Sequence, residues 1–259
     1  MDLKDVLQQA PGVNRRFIYY LEAQGYISPT RVPKVRIARR DYSEHDVRVV
    51  RETWRYYRQG FSLQAAHELG VKRERQVTYV GFLLGAKSQR AVLRRLKEVP
   101  EAMEAGVVYA DTADLLVKMA TPREADLFEA LVPLLVDNGV TGVPSMWRVK
   151  DRFTRAAGTH SEEGKTGMRA YLMLRVPGKG VAEVMDLLQG MEGVVEASTV
   201  YGESDIIVRV QVPSQDALDS LVMSEIHGIP AVESTRTYVV VGGMHWERPD
   251  AIQPPQSPP

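Results

Sequence analysis

The stretch NRRFIYYLEAQGYISP, Asn14 to Pro29, followed by RIARRDYSEHDV, Arg36 to Val47, decides the fold expected for the front of this chain. It predicts a short arginine-rich helix that ends at Gly25, because glycine adopts the left-handed backbone of a helix C-terminus without strain. A basic extended loop follows, and Ser43 to Asp46 form a capping-box pattern that opens another helix. This order is typical of a helix that enters a DNA groove beside a loop that holds the backbone.

The polar face of this helix and the loop carry the candidate DNA contacts. Arginine and asparagine can make bidentate contacts with base edges, and arginine and tyrosine can hold phosphates. Five cations and one acid lie between Pro29 and Tyr42, and they are costly to bring together without a polyanion. A solvated, mobile loop is the alternative interpretation. The predicted contacts are Asn14, Arg15, Arg16, Tyr19, Tyr20, Lys34, Arg36, Arg39, Arg40 and Tyr42.

The whole chain favours two or three domains at 259 residues. It has no cysteine, which excludes disulfides and thiolate metal sites. No apolar run approaches the ~18–20 residues that span a bilayer, and the first residues lack the apolar core of a signal peptide. Residues 1–100 carry 20 Lys+Arg against 10 Asp+Glu, whereas residues 168–259 carry 6 against 12. This asymmetry indicates a polyanion-binding front rather than chance, and we expect a cytoplasmic, nucleoid-associated protein.

Residues 2–70 resemble the MerR family of bacterial transcription regulators in three separated motifs. Tyr19 and Leu21 depart from the family, which has arginine and tyrosine there. The resemblance implies a winged helix-turn-helix over residues 1–75, a dimer on a palindromic promoter operator, and a contact with RNA polymerase. The matching residues are Val13, Ile18, Tyr20, Glu22, Gly25, Ile27 and Pro29 in the helix motif, Arg40 and Tyr42 in the wing, and Gly60 to Leu63 (GFSL) beyond it.

The middle of the chain, residues 76–157, has apolar spacings that predict helices. Its resemblance to the long helix of MerR-like regulators implies a helical linker or dimerisation region, although the spacing is not a clean heptad. Separate helices are predicted over residues 111–119, 122–138 and 145–157, and residues 158–167 are predicted to be a linker. Whether this region does more than set the distance between the front and the back stays open.

Residues 168–243 alternate in a β-α-β-β-α-β order, which predicts a ferredoxin-like sandwich. Met191 to Val210 and Glu233 to Val241 resemble the ligand-binding domain of the Lrp/AsnC family. The resemblance implies dimers or higher homo-oligomers and a small effector, commonly an amino acid, bound between subunits. A hairpin turn that needs Gly202 only for its backbone is the alternative. The effector residues implied are Tyr201, Gly202, Asp205, Ser234 and Thr235.

These patterns predict a multidomain α+β chain: a winged helix-turn-helix, a helical middle, a ferredoxin-like sandwich, and a disordered tail over residues 244–259. We expect a DNA-binding transcription regulator that responds to a small molecule, with double-stranded DNA as partner and no membrane contact. The alternative is an architectural DNA-binding protein whose back only oligomerises. We expect no enzyme, since no nucleophile motif is present, and we predict no catalytic residues, metal or cofactor. An enzyme built on the middle region is the third hypothesis.

Overall fold

The structure is a computed structural model that describes residues 1–32, 39–73, 75–140, 142–154 and 167–248. Contacts divide the chain into two compact units, Met1–Arg75 and Gln76–Pro259. The predicted contact residues Lys34 and Arg36 lie outside the described residues, as do the predicted linker up to residue 166 and residues 249–259 of the predicted tail. The prediction of disorder was wrong for residues 244–247, which belong to the last strand.

The first unit consists of helices around one small two-stranded hairpin. Asn14 accepts a hydrogen bond from the Phe17 amide at 2.9 Å and so begins the second helix. Ser43 and Asp46 form the predicted capping box. The elements are α1 (Leu3–Gln9), α2 (Arg15–Ala23), β1 (Thr30–Val32), β2 (Arg39–Asp41), α3 (Glu44–Tyr57) and α4 (Leu63–His67), which continues as a π-helical turn, Glu68–Lys72.

The second unit is a closed barrel of eight antiparallel strands in the order β10-β4-β5-β3-β6-β8-β9-β7. The first six elements are β3 (Gln76–Phe82), α5 (Ala86–Leu96), β4 (Ala102–Tyr109), β5 (Leu115–Thr121), α6 (Glu124–Asp137) and β6 (Ser145–Thr154). The last six are β7 (Met168–Arg175), α7 (Val181–Gly190), β8 (Val194–Tyr201), β9 (Ile206–Val212), α8 (Gln215–Ser220), which continues as a π-helical turn over Leu221–Ile226, and β10 (Ser234–Glu247).

The barrel is built from two halves with the same element order. We call β3 to β6 the first half and β7 to β10 the second half, and each half runs β-α-β-β-α-β. The halves join where β6 pairs with β8 and where β10 pairs with β4. The register repeats as well, because Tyr79 lies opposite Lys118 in the first half and Tyr171 lies opposite Arg209 in the second.

The predicted fold class, a winged helix-turn-helix with a helical middle and a separate ferredoxin-like sandwich, was wrong. Most of the chain is one closed barrel, and the middle region supplies half of its strands. The helices predicted over residues 111–119 and 145–157 are largely the strands β5 and β6. All seven residues of β5 are buried. A strand that is apolar on both faces loses its alternation, so periodicity does not separate it from a buried helix.

Three apolar clusters fill the barrel unit. One lies under α5 and α6, and another lies under α7 and α8. The third lines the barrel interior and includes four large rings, Tyr79, Trp147, Tyr171 and Tyr238, each at most 2% exposed. The interior is thus packed with side chains. Among the described residues, no helix is long and apolar enough to cross a membrane.

Candidate functional site

Helix α2 presents a polar, aromatic face to solvent. Arg15 and Arg16 are exposed, and Tyr19 and Tyr20 are 41% and 47% exposed. The opposite face is buried in the core of the unit through Phe17, Ile18 and Leu21. Because the apolar face holds the helix in place, the two arginines and two tyrosines stand together on one outer surface.

The hairpin β1–β2 adds three arginines whose partners differ. Arg31 is exposed on β1 and lies opposite Arg40 of β2. Arg39 donates to Asp2 at 2.8 Å, at the start of α1. Arg40 donates through Nε to both carboxylate oxygens of Glu22 on α2, at 2.8 and 3.0 Å. This bond raises the pKa of Arg40 above its ordinary value.

Two of the predicted DNA contacts have structural roles. Asn14 caps α2 through its side-chain oxygen. Tyr42 is 2% exposed in the core of the unit, and burial raises the pKa of its hydroxyl to about 12. The unit as a whole remains basic, with 15 Lys+Arg against 9 Asp+Glu over residues 1–75. Among the described candidates, Arg15, Arg16, Tyr19 and Tyr20 thus lie on the outer face of α2, with Arg39 and Arg40 on the hairpin, whereas Asn14 and Tyr42 have structural roles.

The predicted effector residues gather at one rim of the barrel. Ile206, which follows Asp205, lies opposite Leu174 on β7, and Thr235 lies opposite the same residue from β10. Tyr201 ends β8 next to them and is 62% exposed. Ser234 is exposed, and the Thr235 hydroxyl is buried without a hydrogen-bond partner.

Two of these residues have structural reasons to be present. A Cβ at Gly202 would lie 2.7 Å from the Met146 carbonyl oxygen and from Trp147 Cδ1, so the close approach of β6 requires glycine. The Asp205 carboxylate accepts from the Val176 amide at 2.9 Å. The alternative interpretation of the turn thus applies to Gly202 and Asp205, whereas Tyr201 has a free surface for a ligand.

A buried polar network ties the two halves together inside the barrel. Lys118 Nζ donates to both oxygens of Glu196 at 2.5 and 2.7 Å, and Tyr79 donates to Glu196 at 3.0 Å. Tyr171 donates to Glu104, and Arg209 lies 3.3 Å from Glu104. The side chains of both glutamates and of Lys118 are each 1% exposed.

The network carries shifted pKa values with clear causes. Burial alone would raise the pKa of Glu104, but the hydrogen bond with His245 and the charge of Arg209 lower it to about 2. Burial raises the pKa of Tyr79 and Tyr171 well above the ordinary value, and their neighbouring carboxylates raise it further. Both tyrosines therefore stay protonated and act as hydrogen-bond donors.

None of these network residues was predicted, although the sequence contains the signal. EAGVVYADTADLLVKMATP, Glu104 to Pro122, aligns with EASTVYGESDIIVRVQVP, Glu196 to Pro213, with one residue inserted. The alignment places Glu104 on Glu196 and Lys118 on Arg209. An internal repeat of this kind predicts that each copy buries an apolar face of its sheet against the other copy.

Among the described residues, Glu104, His245 and Glu247 form a group that could hold a metal ion. The ligand atoms already have cationic partners, however. Arg169 contacts His245 Nδ1 at 2.6 Å, and Arg209 donates to Glu247 at 2.6 Å. A metal held by the two carboxylates would have to displace the Arg209 guanidinium, which lies 3.3 Å from Glu104 and 2.6 Å from Glu247, so we interpret the group as part of the ion-pair network.

Comparison with known proteins identifies the second half of the barrel. Residues 169–244 match the model of the Lrp/AsnC ligand binding domain, and this segment is such a domain. No curated protein matches the chain. Among solved structures, FFRP-DM1 is 31% identical over 29% of this chain and 99% of that chain, with a TM-score of 0.28.

Two further solved structures match about two thirds of the chain. An anthrone oxidase-like protein is 15% identical and covers 68% of this chain and 93% of that chain, with a TM-score of 0.42. A mutant chlorite dismutase from Candidatus Nitrospira defluvii is 12% identical and covers 67% of this chain and 94% of that chain, with a TM-score of 0.43.

The prediction that this chain is not an enzyme is corrected by these matches. The solved structures to which it is similar include an oxidase-like protein and a dismutase, so the barrel gives no ground for excluding catalysis. At such identities the likeness concerns the fold alone and assigns no activity to this chain.

Proposed function

We propose that this chain, which carries a Lrp/AsnC ligand-binding domain at residues 169–244, is a transcription regulator. Its first unit binds double-stranded DNA in the MerR-like manner that the sequence motifs imply. Its second unit responds to a small-molecule effector of amino-acid type. The protein acts in the cytoplasm on the nucleoid, as a dimer at a palindromic promoter operator where it contacts RNA polymerase.

The observation that carries the DNA-binding part is the outer face of α2. Arg15, Arg16, Tyr19 and Tyr20 are all exposed there, while the other face of the helix is buried. Arginines on an exposed helix can reach base edges in the major groove, and tyrosines can hold the flanking phosphates. The basic hairpin is placed beside the same helix by the Arg40–Glu22 contact.

Selection of bound sequences from a random duplex pool at physiological salt tests this part. We expect an inverted repeat, and we expect Arg16→Ala to weaken binding to it by about 1–3 kcal/mol. Arg90→Ala, which removes an exposed cation from α5, is the matched control and should leave the affinity unchanged. Equal affinity of Arg16→Ala and wild type would contradict the assignment of α2. Binding that generic duplex competes away equally well would favour the architectural alternative.

Thermal unfolding in the presence of each amino acid tests the effector part. A ligand present at about 100 times its Kd stabilises the folded state by about 2.7 kcal/mol, which raises the Tm. Tyr201→Ala should reduce this rise. Tyr109, the aligned residue of the first half, is 71% exposed, and Tyr109→Ala is the matched control that should retain it. A wild-type Tm that no amino acid changes would remove this part of the proposal.

A further inference from the structure

Arg40 of the hairpin contacts two residues of α2, Glu22 and Tyr19. Arg40 Nε donates to both oxygens of Glu22 across 18 residues of chain. The Arg40 guanidinium also lies 4.8 Å from the centre of the Tyr19 ring. The side chains of Glu22 and Arg40 are 19% and 38% exposed. One arginine thus connects the hairpin to the helix face that carries the proposed DNA contacts.

We propose that Glu22 and Arg40 are positioning residues for DNA binding, and this inference rests on the proposed function. Their contact holds the basic hairpin at a fixed orientation to α2, so that hairpin and helix meet the duplex together. Arg40 then acts through Glu22 and Tyr19. This differs from the direct backbone contact that the sequence alone suggested for Arg40.

The charges support this division of roles. A guanidinium that already holds a carboxylate forms a nearly neutral pair, and it is a weaker phosphate ligand than a free one. Residues directly opposite each other in an antiparallel pair lie on the same face, so Arg31 lies beside Arg40. An Arg40 held against α2 therefore sets the orientation of the hairpin face on which Arg31 lies. Arg31, Arg15 and Arg16 remain for the DNA.

The substitution Glu22→Gln tests the inference, because the loss of charge and the loss of positioning predict opposite changes in DNA affinity. The substitution removes a negative charge from a surface that meets a polyanion. If only the charge mattered, binding would tighten, because repulsion of phosphates is lost. If Glu22 positions the hairpin, binding weakens. The hairpin is then less ordered in the free protein, so its conformational entropy is lost on association with DNA and lowers the affinity.

The first measurement is the affinity of the full chain for the duplex recovered by selection. We expect Glu22→Gln to bind about tenfold more weakly, a loss of about 1.4 kcal/mol. Glu44→Gln removes a more exposed acid of the same unit, from the first turn of α3, and should bind equally well or more tightly. The charge-reversed pair Glu22→Arg with Arg40→Glu should recover part of the loss. Glu22→Gln binding as tightly as wild type, or more tightly, overturns the inference.

The second measurement needs no DNA. Hydrogen exchange of the β1 and β2 amides should become faster in Glu22→Gln and stay unchanged in Glu44→Gln, while the Tm of both variants stays near that of wild type. Unchanged exchange in Glu22→Gln also overturns the inference. Wild-type protein that binds no duplex removes the proposed function and this inference together, whereas a wild-type binder with an unaffected Glu22→Gln removes the inference alone.

Discussion

The two halves of the barrel have the same plan but satisfy their buried charges in different ways. In the first half, Lys118 is 1% exposed and pairs with Glu196. In the second half, the aligned Arg209 is 14% exposed and reaches three carboxylates, those of Glu104, Glu196 and Glu247. The compact ammonium of lysine suits a site without water and with one carboxylate partner. The planar guanidinium of arginine has several N–H donors, which it can share among carboxylates and water.

This difference shows that the halves are complementary, not interchangeable. Glu196 of the second half is held by Tyr79 and Lys118 of the first. Glu104 of the first half is held by Tyr171 and Arg209 of the second. Each buried carboxylate thus takes its shortest contacts from the other half, and the loss of such contacts from a buried charge is strongly destabilising. The stable structural unit is therefore the whole barrel.

The largest effect should follow from breaking the fully buried pair. Lys118→Met removes the nearer cationic partner of Glu196 and leaves this buried carboxylate with the more distant Arg209 guanidinium at 3.7 Å, so it should cost about 3–5 kcal/mol. Adding Glu196→Leu should recover much of this loss, because two apolar side chains can replace a buried pair. Urea unfolding followed by fluorescence in a Trp54→Phe background reports on Trp147 and Trp246 of the barrel. A double variant no more stable than Lys118→Met would show that the pair is not the cause.

The pH dependence of the free energy of unfolding should reveal the contribution of the Glu104 charge. Its pKa is lowered from 4.5 to about 2 in the folded chain, so its charge stabilises the fold above pH 4.5. This contribution, on the order of 3 kcal/mol, is lost as the pH falls through about 2. The stability difference between wild type and Glu104→Gln should shrink over that range.

Glu203→Gln is the control for this experiment, since Glu203 is 66% exposed. A Glu104→Gln difference from wild type that does not shrink, relative to the Glu203→Gln difference, as the pH falls through about 2 would contradict the lowered pKa. Both differences are read from urea midpoints at a series of pH values.

The β4–β5 turn and the β8–β9 turn should differ in how much stability changes when a Cβ methyl group is added or removed. Gly202→Ala should cost about 1–3 kcal/mol, because its Cβ would overlap Met146 and Trp147. The first half has Ala110 at the aligned position, and Ala110→Gly should cost less than about 1 kcal/mol. Thermal unfolding of both variants measures the contrast. A Gly202→Ala variant as stable as wild type would mean that β6 can move away.

The smallest contrast concerns the two aspartates that close these turns. Asp114 accepts from the Leu84 amide at 2.8 Å and Asp205 accepts from the Val176 amide at 2.9 Å. Asp114→Ala and Asp205→Ala should therefore cost nearly the same, about 1–2 kcal/mol each, since each leaves one backbone amide without its partner. An Asp205→Ala variant that keeps full stability but loses the effector-induced rise in Tm would instead assign Asp205 to the ligand.

Local sequence patterns predicted the helices of the first unit and α6 but predicted the buried strand β5 as a helix. The predicted capping box at Ser43 and the predicted break at Gly25 mark helix ends that are set within a few residues of chain, whereas Asn14, predicted as a DNA contact, caps α2. Strand β5 and helix α6 were both predicted as helices, and only α6 is one. Burial on both sides of the barrel wall removed the alternation that would have marked β5 as a strand.

The candidate site shows the same limit. The arginines of α2 were predicted from the sequence and are exposed. Tyr42, predicted beside them, is buried in the core. Gly202 and Asp205 were chosen for ligand binding, but their neighbours Trp147 and Val176 give them structural roles. A motif indicates which residues matter, whereas only their neighbours in space show what they do.

The sequence by itself determined the basic front, the helix that carries Arg15 and Arg16, and the β-α-β-β-α-β order of residues 168–243. These depend on composition, capping and short-range periodicity, which act within a few residues of the chain. Only the tertiary structure decided that residues 76–154 form the matching half of a barrel, that Lys118 meets Glu196, and that Arg40 is held by Glu22. These contacts join residues far apart in sequence, and they form because buried charges and open sheet edges must find partners when the chain closes on itself.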